Sequence, residues 1–282
     1  MQSDLTIDLM FEAISPITHM SGTEGNEAVL MREPVAGGGT IASVPVLTGN
    51  AIRHRALRQS GYLWMIAKVG LHGTMKAPLA NFLINGGAVN KSTRDADLKA
   101  VAEGAQLMPL LAMLGGCLPN QIIPGRASVG RGVMACRENQ DRLGRMYPDW
   151  SEGIARLRSA DDFVGGYQYT RGDAARYVET DAATGDPTNL MIFSGESVIT
   201  GSVFFCRIHL RRPTDLQAGA VLHALSQWDE RIGGQSSRGH GQLDVAGCCS
   251  PDVDVPGLIE SYVSHIEDKA DAIKAWLQER FK

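Results

Sequence analysis

VITGSVFFCRIHLRRPTDLQAGAVLHALSQWDERIGGQSSRGHGQLDV, residues 198–245, reads as strand, helix, glycine-rich turn and strand. In the strand Val198 to Leu210, Phe204, Cys206, Ile208 and Leu210 share one face and Val203, Phe205, Arg207 and His209 the other, the period of two that a pleated strand imposes. Thr214 stands where a helix cap belongs, and Val221, Leu225, Trp228 and Ile232 then recur at i, i+4, i+7 and i+11, with Gly233 as the stop. Leu243 and Val245 begin the closing strand. The turn itself, GGQSSRGHG over residues 233–241, has no GK[ST] and so cannot present a lysine to terminal phosphates. It follows a helix and precedes a strand, the reverse of what a dinucleotide fingerprint requires. Two readings remain. The amides and hydroxyls of Gly233, Gly234, Ser236, Ser237 and Gly239, with Arg238, form a nest for a phosphate, or the glycines serve tight packing between helix and strand.

Working outward, Leu5, Ile7, Leu9 and Phe11 alternate with polar residues and predict a half-buried first strand. Ser15 to Ser43 is polar, bears glycines and shows no clear period, which predicts a functional or mobile loop. VPVLTGNAIRHRALRQ (44–59) follows, and Thr48 or Asn50 can cap a helix from about Ala51. At α-helical spacing Ile52 and Ala56 lie together, with Leu57 and Arg53 further round, while His54, Arg55 and Arg58 make an outward basic face. Ser60 to Leu118 is mostly helical, best over Asp97–Leu107 and Leu110–Leu114. Ile122 to Val133 sets Arg126 and Arg131 in a glycine-flanked, strand-like stretch. Asp161 to Ser194 reads as an irregular excursion or a long hairpin, and Pro256 opens a final amphipathic helix with Ile259, Ile266, Ala270, Ile273 and Leu277 on one stripe. Strand, basic helix, insertion, irregular strands, strand, helix, glycine turn and strand is the order of an elaborated ferredoxin-like β-α-β-β-α-β core, an α+β fold.

The 282 residues suffice for a core without disulfides, and the five cysteines show no CxxC spacing, which predicts a reducing, cytoplasmic setting and no zinc site. No run of apolar residues reaches bilayer length, and no basic, apolar leader opens the chain, so neither membrane nor signal peptide is expected. A net charge of −4 argues against nucleic acid, but arginine outnumbers lysine 20 to 7, and residues 121–145 hold five arginines against Glu138 and Asp141. The tail from Pro251 is acidic. No GxSxG, HExxH or paired-histidine spacing occurs, and no cofactor motif is present. His54 and His240 are the histidines placed for general acid–base work on RNA, although such histidines more often only bind.

Four segments taken together resemble CRISPR-associated RAMP proteins. GTIASVPVLTGNAIRHRALRQ is similar to their "pipGsSlrGalR" stretch, LLAMLGGCLPNQIIPGRASVGRG to "lfGg…sklrv", SGESVITGSVFFCRIHL to "E.v..Gt.f...i.l", and GGQSSRGHGQLDV to "GGkssrGfGrv". The order and spacing resemble most the Cas-seven-type backbone subunit, in its type IV form. This resemblance implies an RRM-like palm over residues 1–59, 119–164 and 194–250, a helical insertion over 60–118, a protruding β-hairpin thumb over 165–193, and a C-terminal helix over 251–282. It implies a non-catalytic subunit that polymerises along CRISPR guide RNA, pairs with other Cas subunits and segments the guide–target duplex. Guide phosphates would fall to Asn50, Arg53, His54, Arg55, Arg58, Arg126, Arg131 and the 233–239 nest, and the base wedge to Tyr167, Tyr169 or Met191. The alternative within the same resemblance is an endoribonuclease. Relatives that cut target RNA use an aspartate after the first strand, whereas this chain offers only Glu24, Glu27 and Glu33 there.

Overall fold

A computed structural model describes residues 3–25, 27–37, 40–88, 97–148, 158–171 and 191–281. The chain opens with β1 (Leu5–Ala13), β2 (Met20–Glu24), β3 (Glu27–Leu30), β4 (Arg32–Gly37) and β5 (Thr40–Leu47). One continuous helical run follows: α1 (Gly49–Ile52), a π-helical stretch (Arg53–Gln59) and α2 (Ser60–Lys68). The insertion supplies α3 (Ala77–Asn85), α4 (Leu98–Leu107) and α5 (Pro109–Leu114). Then come β6 (Gly116–Leu118), β7 (Gln121–Ile123), β8 (Ala127–Val129), β9 (Gly132–Met134), α6 (Gln140–Met146), β10 (Val164–Arg171), β11 (Met191–Val198) and β12 (Val203–Leu210). α7 (Asp215–Ser226), β13 (Leu243–Ser250), α8 (Val255–Asp268) and α9 (Ala270–Arg280) complete the order.

The fold is mixed α+β. Its main sheet runs β13–β1–β12–β9–β5–β4, with β8 also on β12, and every pairing in it is antiparallel. β1 lies between β13 and β12, with Leu5 opposite Leu210, Phe11 opposite Phe204 and Ala13 opposite Leu243. The alternation read in the sequence is real: Leu5, Ile7, Leu9 and Phe11 join Phe204, Cys206, Ile208 and Leu210 in a core with Ile52, Ala56, Leu57, Val221 and Ala224. Each large apolar side chain buried there contributes about 1.5–3 kcal/mol. On the opposite face α6 closes a smaller cluster, Leu143 and Tyr147 against Val133 and Phe205. A second sheet, β10–β11–β3–β2, contains the parallel pair β11·β3 and leans on the first through Glu196, whose carboxylate accepts from Arg32 at 3.0 Å and from the Leu30 amide at 3.1 Å.

Four expectations change. The stretch Ser15 to Ser43 carries strands β2, β3, β4 and the start of β5 where a loop is expected: all of β2 is exposed, so no buried face imprints a period on its sequence. Val198 ends β11, and a turn at Gly201 separates it from β12. α7 carries the capping box Thr214/Gln217 but stops at Ser226; Trp228 and Ile232 are buried from the following loop, which prolonged the helical spacing by coincidence. The C-terminal helix is two helices broken at Lys269. α8 crosses α7 where Gly219 leaves no room for a Cβ against the Leu258 carbonyl, and α9 sets Trp276 on Gly104 of α4. No helix among the described residues is long and apolar enough to cross a membrane.

His223 on α7 is buried, its ring 4.1 Å from that of Trp64 and 5.4 Å from that of Tyr262. Burial, with nearby Lys68, holds its pKa below the ordinary 6.5. The unfolded chain therefore takes up the proton first as pH falls below about 6.5, so this contribution to stability is complete above that pH and is lost beneath it. His19, His54 and His240 are lowered in the same direction, each chiefly by burial. The urea midpoint at about pH 5.5 is expected below that at about pH 7.5, and the gap is expected to narrow in His223→Phe.

Candidate nucleic-acid interface

The glycine loop divides its glycines between two tasks. At the entry, Gly233 has φ 85° and a Cβ there would stand 2.5 Å from the Thr18 carbonyl oxygen, while the Gly234 amide donates to that same oxygen at 2.7 Å. At the exit, Gly241 has φ 86°, its missing Cβ makes way for the Ile232 carbonyl, and its amide donates to Pro16 at 2.8 Å. These ends serve packing. Between them Gln235 takes a left-handed φ of 60°, Ser236–Arg238 form a single 3-10 turn, and Gly239 at φ 82° has open space around it. The amides of Gln235, Ser236 and Ser237 have no hydrogen-bond partner among the described residues. A left-handed residue followed by right-handed ones turns successive N–H groups to one side, the geometry of an anion nest.

An aromatic ladder stands against this loop. Tyr167 and Tyr169 on β10 are parallel at 6.3 Å, and Phe193, opposite Tyr169 on β11, is stacked on it at 5.2 Å. Arg238 lays its guanidinium over the Tyr169 ring at 3.8 Å and donates to the Gln235 side chain. The His240 ring meets Tyr167 edge-on at 5.3 Å, with its Nδ1 2.6 Å from the Thr18 hydroxyl. Burial, and then Arg238, holds His240 below the usual histidine range, so it is neutral at neutral pH. Tyr167 and Tyr169 thus face the loop; Ile192, half exposed, lies on the strand-alternate face of the hairpin. Met191 pairs with Arg171, but the side chain of Met191 lies outside the described residues, as do residues 172–190.

Buried Thr18 and half-buried His19 link the loop to the helix. His19 Nε2 lies 3.2 Å from the Thr48 hydroxyl, and Thr48 caps α1 by accepting from the Ala51 amide at 3.3 Å. Gly49 packs on the Val129 and Gly130 carbonyls too closely for any side chain, which sets Arg131 beside the helix start, near exposed Asn50.

The expected outward basic face is corrected. The stretch Arg53–Gln59 is π-helical, so side chains do not follow α-helical spacing. Arg58 points inward at 4% exposure and donates to the carbonyls of Gly115 at 2.7 Å, Leu83 at 3.4 Å and Leu114 at 3.5 Å. Arg53 donates to the Leu114 carbonyl as well, and burial followed by the charge of Arg58 lowers its pKa. Arg55 does reach the surface, bonded to Gln59 at 2.7 Å and to Asp229 at 3.4 Å. His54 lies near Ile84, whereas His240 meets Thr18 and Tyr167, and among the described residues no hydrogen bond or ring contact joins the two histidines. Arg131 is paired with Glu33, which also holds Arg142 at 2.7 Å. Arg126 is at the other end of the sheet, bonded to Gln217 and to the Arg212 carbonyl. Sequence reasoning missed Thr18, His19, the Thr48 side chain's bond to His19, and Phe193; their partners Gly234, His240, Thr48 and Tyr169 are brought to them by long-range pairing.

No known family model matches this chain, and no curated protein matches it. Among solved structures it is similar to a chain described as "Type IV-B CRISPR Complex", at TM-score 0.62 and 17% identity, over 88% of this chain and 92% of that one. The two share a fold along almost their whole length.

Removing a buried cation's side chain strands the carbonyls it served. Arg58→Ala is expected to destabilise by about 3 kcal/mol, and Arg55→Ala, at a half-exposed pair, by less than about 1 kcal/mol, read as urea midpoints.

Proposed function

We propose that this chain is a guide-RNA-binding backbone subunit of a type IV-like CRISPR ribonucleoprotein. In this reading the sheet is an RRM-like palm: β1, the helix over residues 49–68, β8/β9, β12, α7 and β13 follow one another as β-α-β-β-α-β. The β10–β11 hairpin is the thumb and α3–α5 the helical insertion. Copies of the chain polymerise along the guide, other Cas subunits complete the particle, and the thumb segments the guide–target duplex. The observation that carries the reading is the open middle of the glycine loop: three amides without a partner among the described residues, beside an arginine whose guanidinium carbon lies 3.8 Å over the Tyr169 ring. A guanidinium stacked by its face keeps its edge N–H groups free for a phosphate, and a stacked side chain loses little further entropy on binding. Support comes from the four sequence segments and from the shared fold with a chain of a CRISPR complex.

Phosphate contacts then fall to the loop amides, Ser236, Ser237, Arg238 and the region of Asn50 and Arg55. Arg58 and Arg53 act beneath them as structure. Base stacking falls to the edge of the Tyr167–Tyr169–Phe193 ladder and to Ile192 on its reverse.

Co-expression with a CRISPR array, followed by size exclusion and sequencing of the bound nucleic acid, is the direct test. Large particles with array-derived RNA of defined length are the expected result; a nucleic-acid-free monomer, even with the partner subunits present, would refute the proposal. With purified protein, Arg238→Ala is expected to weaken RNA binding at every sequence and to lower the salt slope by about 0.7. An unchanged slope would remove the loop from the site.

We further propose that the chain does not cut RNA. Glu33 is committed to Arg131 and Arg142, and Glu24 and Glu27 face each other across the exposed β2–β3 hairpin. Target RNA is expected to stay intact in the assembled complex; cleavage abolished by Glu24→Ala or Glu27→Ala would overturn this.

A further inference from the structure

A second cationic site lies at the end of the main sheet away from the glycine loop. Arg211 and Arg212 follow β12, where Leu210 pairs with Leu5, and Arg126 precedes β8 beside them. Their backbones are locked to one another: the Arg211 amide donates to the Arg126 carbonyl at 3.1 Å, and Arg126 Nη1 donates to the Arg212 carbonyl at 3.2 Å. Arg212 is held at φ 42°, uncommon for a long side chain, while the Asp4 carboxylate accepts its amide at 2.9 Å. With Asp4 these three arginines line a surface cavity of about 470 Å³.

Three arginines meet one carboxylate there. Arg32, Arg131, Arg142, Arg207 and Arg280 each have a carboxylate within 4 Å. Among the described residues none of Arg126, Arg211 and Arg212 forms an ion pair, and the carboxylate of Asp4 lies 3.3 Å from His209 Nε2. Three arginines against one carboxylate leave an excess of positive charge at this open cavity, and the forked donors of guanidinium groups suit phosphate oxygens.

We infer that Arg126, Arg211 and Arg212 form a second phosphodiester-binding site, which takes RNA beyond the stretch held at the glycine loop. The inference rests on the guide-RNA reading for the identity of the polyanion. β12 joins the two regions: its eight residues span roughly 25 Å, within the reach of a single strand a few nucleotides long. The second site therefore extends the footprint of one copy and fixes the direction in which the strand leaves it.

The test uses the full chain, single-stranded RNA of about 30 nucleotides, and affinities measured between roughly 50 and 200 mM salt. Arg211→Gln with Arg212→Gly removes two charges and suits the left-handed backbone; Arg211→Gln alone is the second variant, and thermal midpoints verify folding. Arg238→Ala is run in parallel. The double variant is expected to lower the salt slope by about 1.4 and the single one by about 0.7. Unchanged slopes in both, with a loss in Arg238→Ala, overturn the second site and leave the glycine loop as the RNA site. A loss in the double variant with none in Arg238→Ala sustains the second site and removes the loop. Absence of RNA binding by the parent protein overturns both.

Discussion

Arg58 is the residue on which the arrangement turns. Its guanidinium is buried between the C-terminal ends of α3 and α5, where Leu83, Leu114 and Gly115 present carbonyls that no further helical turn can satisfy. A cation at two converging helix C-termini answers both the orphan acceptors and the negative ends of the helix dipoles. Gly86 and Gly115, both at positive φ, turn the chain sharply enough after each helix to bring those carbonyls together, and a Cβ on Gly86 would press on the guanidinium at 3.4 Å. Arg53 reaches the same Leu114 carbonyl from one turn earlier. The helical insertion is thereby fastened to the helix that lies across the sheet, by polar bonds that have only one solution.

That fastening explains why the helix contains a π-helical stretch. With α-helical spacing, Arg53 and Arg58 could not both turn inward while Ile52, Ala56 and Leu57 stay in the core. The distortion buries Arg58 while Arg53 and Arg55 stay partly exposed, and Gly49 is fixed against Val129 and Gly130 at the helix start. From Thr48 a chain of contacts runs through His19 and the buried Thr18 to His240 and the glycine loop, its links hydrogen bonds and a β-bridge. The candidate site is therefore a set of loops held at the rim of a sheet, positioned by buried contacts beneath them.

The sequence disclosed what local physics controls. The alternation in β1 and β12 appears because each has one dry face, and Thr214 announces α7 because a cap is a local bond. Strands β2 to β5 were invisible for the opposite reason: β2 is exposed along its length, and β4 and β5 are defined by their pairing with each other and with β9. Arg58 was read as a surface cation because burying arginine is expensive unless carbonyls are waiting, and those carbonyls come from 25 to 57 residues away in sequence. The glycine loop was read as either packing or cradle, and the structure assigns its ends to packing while its middle stays open. Nothing local in RRPT announced that Arg211 and Arg212 would meet Arg126, since that meeting is a consequence of the β8–β12 register.

Net charge misleads here because it counts charges that cancel. Several acidic residues are spent on arginines: Asp8 takes Arg207 in a two-pronged pair, Glu33 takes Arg131 and Arg142, Glu196 takes Arg32, and Asp97 takes Arg280. Arg238, Arg211, Arg212 and Arg126 remain without carboxylate partners among the described residues, and they collect at the two ends of the sheet. For a polyanion what matters is the local field within about a Debye length, roughly 8–10 Å, and not the sum over the chain. A protein of net charge −4 can in this way offer two positive surfaces, with its neutralised arginines beneath them holding the sheet and insertion in place.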